Sequence, residues 1–133
     1  MRKRELHVDR QLVKTQLAPA AIGPYSQAVL VGNTLYCSGQ IPIDPKTGHM
    51  VSDSIEAETE RVLENLEGVL TAAGMTLGNV VSCRVYMTDI NDYAQINEVY
   101  GRFFGANAPA REAVQVCALP RSARVEISAV AVK

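Results

Sequence analysis

The chain has 133 residues, is 47% hydrophobic and is close to neutral, with 13 Lys and Arg against 14 Asp and Glu. That length suits one domain with a core of its own, and the balanced charge leaves no summed field to hold nucleic acid or an anionic membrane. No stretch approaches the roughly 18 apolar residues that a bilayer span requires.

The three cysteines, Cys37, Cys83 and Cys117, are scattered and lack the paired spacing of a zinc or redox motif, so they read as reduced thiols. Charged residues return between Met1 and Arg10 before any apolar signal core can form. The expected location is cytoplasmic.

Residues 1–12 are expected to form an irregular arm ahead of a single domain over 13–133, with a short strand around Leu12–Thr15. Ser26–Val31 and Thr34–Ser38 are strand-like runs on either side of Gly32-Asn33, a pair suited to a two-residue hairpin turn. Pro42–Gly48 concentrates turn residues and is expected to be an exposed loop. A helix should follow, capped by Asp53 with Glu56 completing a capping box. Its buried stripe would be Ile55, Val62, Leu63, Leu66, Val69 and Leu70, and Gly74 would end it in the left-handed conformation.

Val80–Met87 is a β-rich run, and Thr88–Asp92 connects it to a second helix over about 92–104 that buries Ile96, Val99, Tyr100 and Phe103. Two further strands, Ala113–Cys117 and Arg124–Val132, are expected to pair as a hairpin through Leu119–Ser122. The order implies an α+β domain, with both helices on one face of a sheet. In the last strand Val125, Ile127, Ala129 and Ala131 line one face, while Ser128, Val130 and Val132 leave the other partly apolar. That second face needs a cover, which self-association would supply; a monomer with a modest apolar patch is the alternative.

Motifs for a P-loop, a dinucleotide fold, a zinc protease or a nucleophile elbow are absent, and His7 and His49 have no nearby second ligand. Neither a metal nor a cofactor is expected. Arg111 leads from a loop into an otherwise apolar strand, where its fixed fork of donors suits a carboxylate. An ion pair with Glu126 or Glu112 is the structural alternative. Glu126 sits mid-strand, where a buried carboxylate is costly without a partner. It could position water and shuttle a proton, or pair with Arg124 or with a neighbouring subunit.

Tyr25 follows a rigid Gly-Pro turn and offers an aromatic wall with a hydroxyl, or simple packing. Ser38 precedes Gly39, which could let a ligand approach the backbone closely or could merely permit a bulge. Asn97 could bond a ligand or a neighbouring backbone from the second helix, or stand exposed.

Taken together, Ala18 to Ala28 with its Gly23-Pro24-Tyr25-Ser26-Gln27 core, Ser38-Gly39-Gln40-Ile41-Pro42, Asn97, Pro109-Ala110-Arg111, Leu119-Pro120 and Val125 to Ala129 resemble the Rid (YjgF) family. The resemblance runs from about residue 13 onward. It implies a fold similar to trimeric chorismate mutase, a homotrimer with a central sheet barrel and ligand clefts between subunits. It also implies hydrolysis of small 2-enamino and 2-imino acids to 2-keto acids and ammonia, without metal or cofactor.

By matching positions, Arg111 would grip the substrate carboxylate and Glu126 would hold or activate water. Tyr25 would close the cleft, Asn97 would assist, and Ser38 and Gly39 would line the pocket. Many relatives carry cysteine where this chain has Ala113, which excludes thiol chemistry there but leaves backbone groups to orient the ligand. The resemblance also admits a ligand-responsive binding or chaperone-like role, and an endoribonuclease role that the near-neutral charge disfavours.

Overall fold

The computed structural model describes residues 8–133, so His7 lies outside the described part. Strands β1 (Gln11–Val13), β2 (Ala28–Val31) and β3 (Thr34–Gln40) precede helix α1 (Ile55–Ala72). Strand β4 (Val80–Met87), helix α2 (Tyr93–Phe104), and strands β5 (Ala110–Gln115) and β6 (Val125–Val132) follow. They build one six-stranded mixed sheet in the order β1-β2-β3-β6-β4-β5.

The β2–β3 hairpin closes at Gly32-Asn33, where Val31 faces Thr34 and Gly32 takes φ 58°, a left-handed turn open to glycine. The expected β5–β6 hairpin does not form. β5 pairs in parallel with β4, while β6 inserts between β3 and β4 and runs antiparallel to both. A parallel pair needs a crossover, and α2 supplies it between β4 and β5. α1 does the same between β3 and β4, leaving room for one strand in the split. β5 also starts earlier than expected, at Ala110, which places Arg111 inside the strand.

Helix α1 is capped by Ser54 rather than Asp53: the Ser54 hydroxyl accepts from the Ala57 N–H at 3.0 Å. The third residue after that cap is Ala57, so the expected capping box is absent. Glu56 and Glu58 still lie in the first turn, and Gly74 takes φ 74° just beyond the end.

Both helices cover one sheet face. Leu63, Leu66 and Leu70 of α1 and Ile96 and Val99 of α2 are fully buried against Leu35, Val85, Met87, Val125 and Ile127. β6 alternates accordingly, with Val125, Ile127, Ala129 and Ala131 buried and Glu126, Ser128 and Val130 on the other side. On that uncovered side Tyr36, opposite Val130, is 54% exposed.

The segment before β2 is strapped to the body. The buried Gln27 side chain accepts from Thr15 N at 2.7 Å and donates to Thr15 O at 3.0 Å and Pro19 O at 2.7 Å. Leu17 crosses α1 where Gly68 leaves a gap; a Cβ there would stand 2.7 Å from the Leu17 carbonyl carbon. Alanine normally favours a helix over glycine by up to about 1 kcal/mol. Here the obstacle is backbone, so Gly68→Ala should instead destabilise by about 1–3 kcal/mol, seen as a lowered urea midpoint.

Candidate functional site

A cavity of about 380 Å³ opens at the bulged end of β3. Tyr25, Ser38, Gly39 and Glu126 all line it, together with Gln27 and Gln40 and an apolar wall of Pro19, Ile22, Ile41, Ile43 and Pro120. Gly39 serves both readings open in the sequence, because it lies in the bulge between Cys37 and Gln40 and also lets Glu126 approach. A Cβ on Gly39 would meet the Glu126 Cδ at 2.8 Å.

Burial raises the Glu126 carboxyl above its ordinary 4.5. The ion pair with Arg124 considered for it is not made: Arg124 is engaged by Glu58, which receives both its Nε and, at 3.0 Å, its backbone N–H. Glu58 is 2% exposed, so this clasp ties the start of α1 to the residue before β6.

The loop walls are fixed by groups that sequence reasoning passed over. Asn65, fully buried on α1, donates to Ile41 O at 3.2 Å and Ile43 O at 2.9 Å. An amide set within the apolar stripe of α1 was the available signal. Tyr25 is half-exposed at the rim, its N–H closing a tight turn on Gly23 O at 2.8 Å. The Ser38 hydroxyl donates to Ser26 O at 2.6 Å, which leaves it only acceptor capacity toward a ligand.

Arg111 lies elsewhere. Its Nη1 donates to Asn97 Oδ1 at 2.7 Å and its Nη2 to the Tyr93 hydroxyl at 2.8 Å. Its Cζ stands 4.8 Å from the Tyr100 ring centre and 5.5 Å from that of Tyr93. Neither carboxylate considered as its structural partner reaches it: Glu112 faces Arg84 at 3.6 Å, and Glu126 lines the cavity at the end of β3. Among the described residues no carboxylate pairs with Arg111. Each Nη keeps a second N–H and Nε keeps its own, enough for a two-point grip on an acid.

The register separates the two groups. Arg111 aligns with Cys83, and Cys83 with Ala129, both buried on the helix side; Ala113 aligns with Val85 on that same side. Glu126 aligns with Tyr86 and alternates to the opposite face. Within one chain, therefore, Arg111, Asn97 and Ala113 form one cluster, and Tyr25, Ser38, Gly39 and Glu126 form another. Among the described residues no group of His, Cys, Asp and Glu is arranged to hold a metal ion.

The family model described as Endoribonuclease L-PSP matches residues 15–133. The chain belongs to the YjgF/Rid family. This Rid chain is 49% identical over 124 residues to the human protein named 2-iminobutanoate/2-iminopropanoate deaminase, covering 93% of the chain and 90% of the human one.

The fold is that of solved YjgF/Rid structures. RidA from the Antarctic bacterium Psychrobacter superposes with a TM-score of 0.89 at 45% identity, covering 92% of this chain and 99% of that one. Escherichia coli TdcF, solved with bound serine, gives 0.89 at 43% identity, covering 92% and 98%. No helix of the described Rid chain is long and apolar enough to cross a membrane.

The sequence leaves Tyr93 unassigned and presents Tyr100 only as a buried residue of the second helix. They share one α2 face with Asn97, and helical spacing from Asn97 was the signal that could have found them.

Proposed function

We propose that this Rid-family protein is a 2-iminobutanoate/2-iminopropanoate deaminase, acting in the cytoplasm on reactive products of amino-acid dehydration. The observation that carries the reading is Arg111, a guanidinium oriented by Asn97 and Tyr93 with donors left over and, among the described residues, no acid to receive them. A small amino-acid-like substrate supplies that acid. The name of the human relative and the serine bound to TdcF support the same substrate class.

The substrate enamine tautomerises to the imine, and water adds its oxygen to the imine carbon. The imine reacts in its protonated form: Glu126 takes a proton from the water as the C–O bond forms, and the C=N electron pair moves onto nitrogen, giving a neutral carbinolamine. Return of that proton to nitrogen makes an ammonium leaving group; as the C–N bond breaks, the carbinol O–H proton passes to Glu126 and on to the departing ammonia, leaving a 2-keto acid. Arg111 lowers the barrier by fixing the carboxylate so that the imine carbon meets the water in one orientation. Tyr25 covers the cavity, Ser38 and Gly39 line it, and backbone groups of Ala113 help orient the ligand.

Because Arg111 and Glu126 occupy opposite faces of one sheet, the working site joins two copies of the chain. A homotrimer packed through the uncovered sheet face brings them together in clefts between subunits. Exposed Tyr36 and Val114 on that sheet support such a contact. The endoribonuclease description of the family fits less well, since a net charge of -1 offers little to a phosphate backbone.

The test couples threonine dehydratase to the protein and traps the imine with semicarbazide. Wild type should lower the trapped adduct and speed 2-ketobutyrate formation; an adduct level equal to that without protein would end the deaminase reading. The pH profile follows from burial. Glu126 must be ionised to act as base, and burial holds its pKa above 4.5. The acid limb of kcat/KM should therefore fall above that pH and be missing from the residual rate of Glu126→Gln.

A further inference from the structure

We propose that Tyr100 is a positioning residue for Arg111, its buried ring serving as the platform that sets the depth and tilt of the guanidinium. The inference rests on the carboxylate-clamp reading and names what keeps the clamp aimed.

Two hydrogen bonds, to Asn97 and Tyr93, fix the ends of the fork but not its rotation about the line joining them. A surface against the face of the guanidinium is needed to stop that swing. Tyr100 provides it at 4.8 Å, closer than Tyr93, and is 5% exposed where Tyr93 is 39% exposed. A ring shielded from water holds a cation more strongly than an exposed one. Phe104 packs against Tyr100 with ring centres 4.6 Å apart and planes tilted by 39°, which keeps the platform from swinging away.

The phenol oxygen gives an independent indication. The Tyr100 hydroxyl is buried and meets no hydrogen-bond partner of good geometry among the described residues, with the Cys83 thiol as its polar neighbour. Phenylalanine would fill the space without burying an unsatisfied hydroxyl, so stability does not explain the tyrosine. Cys83 is the residue that faces Arg111 across the β4–β5 pair. The hydroxyl therefore lies toward the strand position beside the arginine, a minor restraint on the ring, whose face carries the cation.

The full-length protein would be titrated calorimetrically with 2-ketobutyrate, a carboxylate probe that needs no turnover. Tyr100→Leu, which keeps an apolar side chain but loses the π face, should weaken binding about 3- to 30-fold. Tyr100→Phe should restore most of the affinity. In the imine assay the leucine variant should raise KM more than it lowers kcat, whereas a loss of folded protein would lower kcat alone.

The Arg111 Nε–H resonance, assigned by its loss in Arg111→Lys, should move on Tyr100→Leu as the ring current is removed. Leucine and wild type binding alike, phenylalanine binding as weakly as leucine, or an unmoved resonance would each overturn the platform. A wild type that binds 2-ketobutyrate but clears no imine would sink the deaminase reading alone. If wild type bound no 2-ketobutyrate, the resonance would decide the platform by itself.

Discussion

Arg111→Ala should leave the semicarbazide adduct at its no-protein level, a loss of about 10²- to 10³-fold in kcat/KM, while the chain stays folded. The size follows from removing a charged two-point contact, which costs about 2–5 kcal/mol where one partner is left without the other. The fold should survive because Arg111 lies on edge strand β5 and its partner Tyr93 is solvent-accessible. Arg111→Lys should not rescue the rate, since an ammonium cannot bond Asn97, Tyr93 and a carboxylate in the fork geometry. Coupled kinetics with a thermal melt check both halves of the expectation. A folded alanine variant that still cleared the imine would remove the clamp from the mechanism.

Gly39→Ala should be nearly as damaging to the rate and almost silent in stability. The added methyl would overlap the Glu126 carboxyl group, with Cδ at 2.8 Å, but a carboxylate at the end of a flexible side chain can swing aside. The backbone then keeps its bulge, and the base leaves the cavity. A loss of about 10²-fold or more is the ordinary scale for removing a general base, so Gly39→Ala should match Glu126→Gln in kcat/KM. Its denaturant midpoint should stay near wild type, in contrast to Gly68→Ala, where the obstructing atoms belong to the Leu17 main chain. Full activity in Gly39→Ala would mean that the position of Glu126 beside Gly39 is not the one used in catalysis.

The comparison of these glycines also marks what a sequence reveals. Gly32-Asn33 announced its hairpin because the turn chemistry is local, and the stripe of α1 announced its buried face because helical spacing is local. The start of α1 was misplaced by one residue, since Asp53 and Ser54 can both cap and only the backbone path chooses. The β5–β6 hairpin was wrong for a deeper reason. Closeness in sequence favours pairing, but α2 had already committed β5 to a parallel partner, and β6 fills the gap that α1 left between β3 and β4.

Candidate residues were legible as chemical types, whereas their grouping was not. A shift of one position flips every side chain to the other face, so the sequence could not say that Arg111 and Glu126 part company across the sheet. Tyr25, Ser38, Gly39 and Glu126 line one cavity, a grouping that only the fold displays. Gln27 and Asn65 escaped because their work is done through main-chain carbonyls of distant loops, which no spacing rule displays.

β6 follows every other strand in the chain yet lies in the interior of the sheet. During synthesis, β3 and β4 must wait with unpaired inner edges until this segment emerges from the ribosome, and a nascent chain lacking it has no way to close. Such waiting edges invite other strands, so the interval before β6 docks is when aggregation threatens most and a chaperone has most to protect.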